Sequence, residues 1–367
     1  MRNQTETTDL ASTLEKVLCC PRCAGAFRRS EFIVECARCS FAGSVLDRAY
    51  DLRVSNRSVS RLPEYVVERM VLDAQRSDWR TALHDSLRFD NPSLYRAMTD
   101  DFRSAWRLLA PIEPGQRVLV LEAGPSNLIP QLVTAGMDVI GLMGSPHAAR
   151  FTSLRLQQSG CQSAMVGAAL DQPNLPLREN WVDAVLVDNV AGSSAVADSG
   201  PRALERLIGD CRRVLRPGGS LTFTFDNVFG FDRLARPLIG RARAPVYERV
   251  AMKAGEQPRW SRGFRLRDVR QYLAAAGFEA PQVYAVLPFA ETPLYLVPVD
   301  DAPLFARTVR RLVNAYDWSL QARHRQLGPV TELIGVATHL LQSLPGTAAL
   351  RWFVPSYCVV AGVGTPT

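Results

Sequence analysis

The sequence predicts an α/β protein in which a doubly wound parallel sheet follows a small cysteine-rich module and a helical segment. Three observations carry this. Four cysteines fall as Cys20-x2-Cys23 and Cys36-x2-Cys39 with twelve residues between the pairs. Apolar helical spacing fills residues 60–110, and after Pro111-Ile112-Glu113-Pro114-Gly115 short apolar strands alternate with amphipathic helices. The 367 residues, 47% hydrophobic and 22% charged, exclude a disordered chain and suffice for about two domains.

The cysteine spacing is that of a zinc ribbon. Each CxxC turn presents two thiolates on one side of a knuckle, and two knuckles close a tetrahedron around Zn²⁺ with sulfur at roughly 2.3 Å. Phe32-Ile33-Val34 is strand-like and predicts a hairpin joining the knuckles. Cys20, Cys23, Cys36 and Cys39 are therefore the expected ligands of a closed, structural site. Cys19 fits the knuckle less well, and Cys161, Cys211 and Cys358 sit in apolar contexts and are expected to be buried. Free thiols on this scale, with no leader-like start and no long apolar run, read as a cytoplasmic protein without a membrane span.

Residues 60–110 predict a helical cap with Trp79, Leu83, Leu87, Trp106, Leu108 and Leu109 as apolar positions, broken at Asn91-Pro92. Strands are expected at 118–121, 139–142, 164–167, 184–187 and 221–225, and helices near 129–136, 146–158, 201–215 and 266–276. In such a sheet a ligand lies at the carboxyl ends of the strands, so the residues that follow each strand are the candidates. The boundaries expected are a ribbon over 1–56, a helical linker or cap over 57–112 and the α/β domain over 113–367, with insertions at about 228–262 and 300–350.

After the first strand comes Glu122-Ala123-Gly124-Pro125-Ser126-Asn127, with one of the three glycines that a dinucleotide fingerprint needs. Val118 to Leu128 instead resembles the first motif of class I S-adenosylmethionine-dependent methyltransferases, which have a Rossmann-like sheet. Asp171 to Leu177, Trp181 to Asn189, Arg213 to Leu221 and Tyr272 to Phe278 match later motifs of that family in order, and Pro355 to Ala361 resembles its final strand. The ribbon with its flank, about residues 17–53, is similar to the module preceding some bacterial methyltransferases. The resemblance implies S-adenosylmethionine as cofactor, held by Glu122, Gly124, Ser126, Gly144, Asp171 and Asp188, with Asp171 beside the adenine amino group. It also places Met143 where the family has an acid for both ribose hydroxyls, and Ser126 where it has a second glycine.

Asp188, Asn189 and His147 are the candidates for chemistry. An aspartate after the fourth strand can accept a proton from an attacking hydroxyl or amine; as helix caps or solvated turn residues the three would do none of this. Asp226 and Asn227, ending the fifth strand, either line the substrate side or cap. His84, His324 and His339 read as structural.

The net charge is +7, and 41 of the 43 basic residues are arginine. Ten bases against three acids lie between Arg236 and Arg270, while residues 1–60 hold nine bases and seven acids. The ribbon is therefore no basic arm and nucleic acid is not the expected partner. An anionic or carrier-bound small molecule would suit the arginine stretch, with a protein partner at the ribbon as a further expectation. The function expected is methylation of a small molecule in bacterial secondary metabolism, such as antibiotic biosynthesis, or glycan assembly. The alternatives are a methyltransferase fold that hydrolyses or cyclises a biosynthetic intermediate or serves as a partner subunit, and an rRNA or tRNA methyltransferase.

Overall fold

The computed structural model describes residues 17–364 except 56–57, 59, 61, 91, 102–105, 111, 123, 162–163, 171–173, 189–200, 231–262, 290–291 and 312–346. At its centre five parallel strands follow the predicted order: β5 (Arg117–Glu122), β6 (Asp138–Met143), β7 (Ala164–Ala168), β8 (Val182–Asp188) and β9 (Leu215–Asp226). The period of two divides their side chains between two cores. Leu119 and Leu121 of β5 join one hydrophobic cluster and Val118 and Val120 the other, and Val185 and Ala184 of β8 separate in the same way. Gly141, in the middle of β6, is needed for a close approach: a Cβ there would run into the end of the Ile129 side chain.

The helices cover both faces. On one lie α7 (Pro201–Val214) and α8 (Leu266–Ala275), which bury Leu204, Leu207, Cys211, Val269 and Leu273. On the other lie α5 (Leu128–Thr134), α6 (Pro146–Gln158) and the cap helices α1 (Glu64–Arg76) and α2 (Trp79–Leu87). Val67, Met70, Val71 and Ala74 give α1 a single apolar stripe. Asp78 starts α2 by accepting from the amides of Arg80 at 2.7 Å and Thr81 at 3.1 Å. Pro92 opens α3 (Pro92–Thr99), where the predicted break falls, and α4 (Trp106–Leu109) completes the cap.

The sheet is larger and less uniform than a doubly wound parallel one. Its order is β1-β2-β3-β4-β7-β6-β5-β8-β9-β12-β10-β11, twelve strands in all among the described residues. The ribbon strands β1 (Phe27–Arg29), β2 (Ile33–Cys36), β3 (Ala42–Leu46) and β4 (Ala49–Asp51) form an antiparallel meander. Asp47 and Arg48, with φ of 51° and 59°, make the left-handed two-residue turn that suits the twist of β3 and β4. β4 then pairs in parallel with β7, Ala49 to Val166 and Asp51 to Ala168. The turn itself seats against α6: the Asp47 carboxylate accepts from the Arg150 guanidinium at 2.8 Å, and its carbonyl accepts from the Ser153 hydroxyl at 2.6 Å.

At the other end β12 (Ser356–Gly362) runs antiparallel between β9 and β10 (Gln282–Phe289), and β11 (Thr292–Pro298) closes a hairpin with β10. The parallel sheet expected from alternation is thus corrected to a mixed one. A parallel neighbour needs a crossover helix, whereas β12 enters from the irregular segment after the 3-10 turn Thr347–Trp352 and pairs head to tail. Asn227 fixes that entry. Its amide donates to the carbonyls of Trp352 and Val354 at 2.8 Å each, and its oxygen accepts from the amide of Phe229 at 3.0 Å. Asn227 is therefore a buried strand clamp and not a substrate-lining group. Asp226 accepts from the Ser356 hydroxyl at 3.0 Å beside it. Cys211 and Cys358 are buried as expected, while Cys161 is only half-buried. No helix among the described residues is long and apolar enough to cross a membrane. His324, His339 and most of both expected insertions lie outside the described residues.

Asn227→Ala is expected to lower stability by about 1–3 kcal/mol, since the buried carbonyl of Val354 and the partly buried one of Trp352 lose their donor. Urea unfolding measures it, and ligand affinity measured beside it should stay unchanged.

Candidate functional site

The parallel register brings four strand ends to one edge. Glu122 pairs with Met143 on one side and Asp188 on the other, and Met143 pairs with Ala168 beyond. This is the edge where an open α/β sheet binds its ligand. Glu122 is buried, and its carboxylate accepts from the Ser126 hydroxyl. The Ser126 oxygen in turn accepts from the Leu128 amide at 3.0 Å, which starts α5. The loop from Glu122 through Gly124 to Asn127 is thereby pinned from both ends, and Ser126 acts as an internal tie.

Asp188 is buried too, and its carboxylate accepts from the Thr224 hydroxyl at 3.2 Å, across from β9. A small pocket lies here, lined by Leu128, Leu186, Val187, Asp188, Thr222 and Thr224. The Thr222 hydroxyl is buried in it with no partner among the described residues. Asn189 and Asp171 lie outside the described residues.

Beneath the loop sits Arg155 of α6, 5% exposed, which sequence reasoning did not single out. Its guanidinium donates to the carbonyls of Met98 at 2.7 Å and Ser126 at 3.3 Å and to the Asn127 side-chain oxygen. It also lies 4.0 Å over the Trp79 ring. Burial pulls this group down to about 10, and the Glu122 carboxylate works against that fall. Asn127 completes the node by donating to the carbonyls of Thr99 at 3.2 Å and Asp100 at 3.1 Å and to the Asp101 carboxylate at 2.9 Å. The end of α3 is thus held over the loop. The sequence shows only an arginine between Leu154 and Leu156, in a helix that carries other polar residues too.

Met143 ends β6 at this edge. It is fully buried, and its sulfur accepts from the Thr152 hydroxyl at 3.6 Å, so the side chain packs between sheet and α6. The carboxylate at this strand end comes from α1 instead. Glu64 accepts from the Ser145 hydroxyl at 3.0 Å and from the Ser58 hydroxyl, and Ser58 reaches the Gly144 carbonyl at 3.5 Å. Ser145 also caps α6 by accepting from the Ala148 amide at 3.2 Å. His147 lies beside them, its Nε2 4.0 Å from the Glu64 carboxylate and its Nδ1 buried with no partner among the described residues. An adenosyl group brings two ribose hydroxyls and ring nitrogens. A half-exposed carboxylate and an unpartnered imidazole nitrogen beside the end of β6 fit such a group.

The four ribbon cysteines converge, with all four sulfurs within 4.8 Å of one another. Cys20 and Cys39 are 3.6 Å apart and Cys23 and Cys36 are 3.5 Å apart. A tetrahedron with metal–sulfur bonds of roughly 2.3 Å has edges of about 3.8 Å, so the cluster fits zinc. The amides of Arg22 and Arg38 donate to Cys20 and Cys36 at 3.4 and 3.3 Å. Burial raises the Cys36 thiol, but the amides of Arg38 and Cys39 with the neighbouring thiols outweigh it and hold the group down to about 6, toward the form that ligates metal. A Cβ on Gly25 would press the sulfurs of Cys36 and Cys23 at 3.0 and 3.2 Å.

The sheet order, the pinned loop and the acids at the strand ends define an open α/β fold with a crevice at the carboxyl edge of its parallel strands. A family described as a methyltransferase domain matches residues 121–223. No curated protein matches the chain. Among solved structures, the phosphoethanolamine N-methyltransferase 2 of Haemonchus contortus, in complex with phosphomonomethylethanolamine and S-adenosylhomocysteine, is 12% identical over 82% of this chain, with a TM-score of 0.43. This chain spans 60% of that protein's length. An S-adenosylmethionine-dependent methyltransferase of Methanosarcina mazei is 12% identical over 71% of this chain and 97% of its own, with a TM-score of 0.42. The [4+2]-cyclase SpnF is 16% identical over 74% of this chain and 86% of its own, with a TM-score of 0.39.

Because β4 continues the sheet through β7, zinc removal should be felt beyond the ribbon. The purified protein is expected to carry about one zinc per chain, and Cys23→Ser with Cys36→Ser to lose it and to lower the main thermal transition by roughly 6–12 °C, as about 3 kcal/mol would. Metal analysis and circular dichroism melting check this.

Proposed function

We propose that the protein is a methyltransferase that moves a methyl group from S-adenosylmethionine to a small-molecule acceptor. The observation that carries this reading is the placement of Glu122 and Asp188 in register at the carboxyl edge of the sheet, inside the stretch that matches a family of methyltransferase domains. The cofactor supplies an electrophilic methyl on a sulfonium, so the protein has chiefly to position the acceptor in line and take its proton. Glu122, Gly124 and Ser126 would hold the cofactor from the first loop, Gly144 from the second strand end and Asp171 beside the adenine. Asp188 would accept the proton of the attacking hydroxyl or amine, with Asn189 and His147 as the other candidates for the chemistry; the Thr224 hydroxyl keeps the Asp188 carboxylate oriented. The zinc is structural, since four thiolates leave it no open position. The arginines between Arg236 and Arg270 favour an anionic or carrier-bound acceptor, in keeping with bacterial secondary metabolism or glycan assembly and a cytoplasmic setting, and the ribbon face is open to a protein partner.

A second reading is favoured by Met143, whose burial takes the second strand's own side chain out of the crevice. In it the fold has lost methyl transfer and acts on a biosynthetic intermediate by hydrolysis or cyclisation, or works as a partner subunit.

Isothermal titration with S-adenosylmethionine and S-adenosylhomocysteine separates the two. Micromolar binding of both is expected, weakened about tenfold or more by Glu122→Ala, which loses a charge-assisted contact. No binding at millimolar cofactor would overturn the methyltransferase reading.

A further inference from the structure

We propose that Glu64, from the helical cap, is the residue that holds the cofactor's ribose hydroxyls. The proposal rests on the cofactor reading above and assigns a binding role to an element outside the methyltransferase domain.

In a nucleoside-binding α/β sheet the ribose is gripped by a carboxylate at the end of the second strand, because two oxygens on one carbon match a vicinal diol and charge strengthens both hydrogen bonds. Here the second strand ends in Met143, whose sulfur is committed to Thr152 inside the core. The Glu64 carboxylate reaches the same strand end from α1. One of its oxygens accepts from the Ser145 hydroxyl at 3.0 Å, two residues past Met143, and the other from Ser58, which also reaches the carbonyl of Gly144. Two hydroxyl donors therefore fix the orientation of the carboxylate while its side chain stays 36% exposed. Each carboxylate oxygen accepts more than one hydrogen bond, so the serines leave capacity for a ligand's hydroxyls.

The placement follows from packing and not from a surface accident. Val67, Met70, Val71 and Ala74 bury one face of α1 in the core that also contains Met143, Ala148 and Phe151. Glu64 in the first turn of that helix is thus held at a fixed distance from the start of α6. His147, with Nε2 4.0 Å from Glu64 and Nδ1 unpartnered among the described residues, lies on the same rim. A cofactor held this way would bridge the cap and the sheet, so cofactor binding would also fasten the cap.

The test uses the full-length, zinc-loaded protein, Glu64→Gln, and two probes: S-adenosylhomocysteine and its 2′-deoxyribose analogue. Titration calorimetry gives four dissociation constants. The wild type is expected to bind the analogue about ten- to a hundredfold more weakly, the loss of a hydrogen bond to a charged group. Glu64→Gln should bind S-adenosylhomocysteine about tenfold or more weakly and should lose most of the discrimination between the probes, with an unchanged far-ultraviolet spectrum. Equal discrimination in wild type and variant would overturn the proposal while leaving the cofactor reading intact. If the variant fails to fold, Glu64→Asp takes its place: a shortened carboxylate should reduce the discrimination, and full retention of it overturns the role. No binding of S-adenosylhomocysteine to the wild type would overturn the cofactor reading itself, and this proposal with it.

Discussion

A single buried guanidinium sets the geometry around the first loop. Arg155 cannot be left unpaired inside the core, because an uncompensated buried charge costs several kcal/mol. Its two terminal nitrogens find partners: Nη1 donates to the carbonyls of Met98 at the end of α3 and of Ser126 in the loop, and Nη2 donates to the Asn127 side chain, while Nε has no partner among the described residues. Stacking on Trp79 brings in α2 as well. The loop conformation, the seat of the cap and the depth of α6 are therefore one coupled choice. Moving any of them leaves a charge or several carbonyls without hydrogen bonds.

The ribbon answers a second constraint. A central sheet that ended at β7 would present a row of unpaired backbone groups to solvent, an open template for another chain. β4 occupies that row, and Leu52 extends the pairing with its amide 2.8 Å from the Ala168 carbonyl. On the far side of the cysteine cluster the Cys19 amide donates to the Pro176 carbonyl at 3.0 Å. The metal module is thus anchored to the α/β domain by backbone at two places. A zinc ion held by the four cysteines would stabilise the ribbon and, through β4, the pairing with β7.

Much of the fold was legible in the sequence because it depends on local periodicity. The strand starting near Val118, the helix over 146–158 and the punctuation at Pro92 all follow from short-range pattern. So did the metal cluster, whose spacing alone defines two knuckles. The candidate site was legible only where it follows a strand directly: Glu122 and Asp188 are where that rule puts them. Asn227 satisfied the same rule and turned out to hold carbonyls 125 and 127 residues further along. Nothing local distinguishes an asparagine that faces a ligand from one that faces a returning chain.

The sequence by itself determined the alternation of elements, the four thiols and the acids at two strand ends, since each is a property of a few consecutive residues. Tertiary structure alone decided the rest. The reversal of β12, the union of ribbon and sheet, the burial of Met143 and the arrival of Glu64 at the end of β6 all join residues far apart in the chain. Such contacts arise from what remains unpaired after local structure has formed: an open sheet edge, a buried cation, an apolar helix face. Their solution is set by the whole packing problem and leaves no mark at any one position.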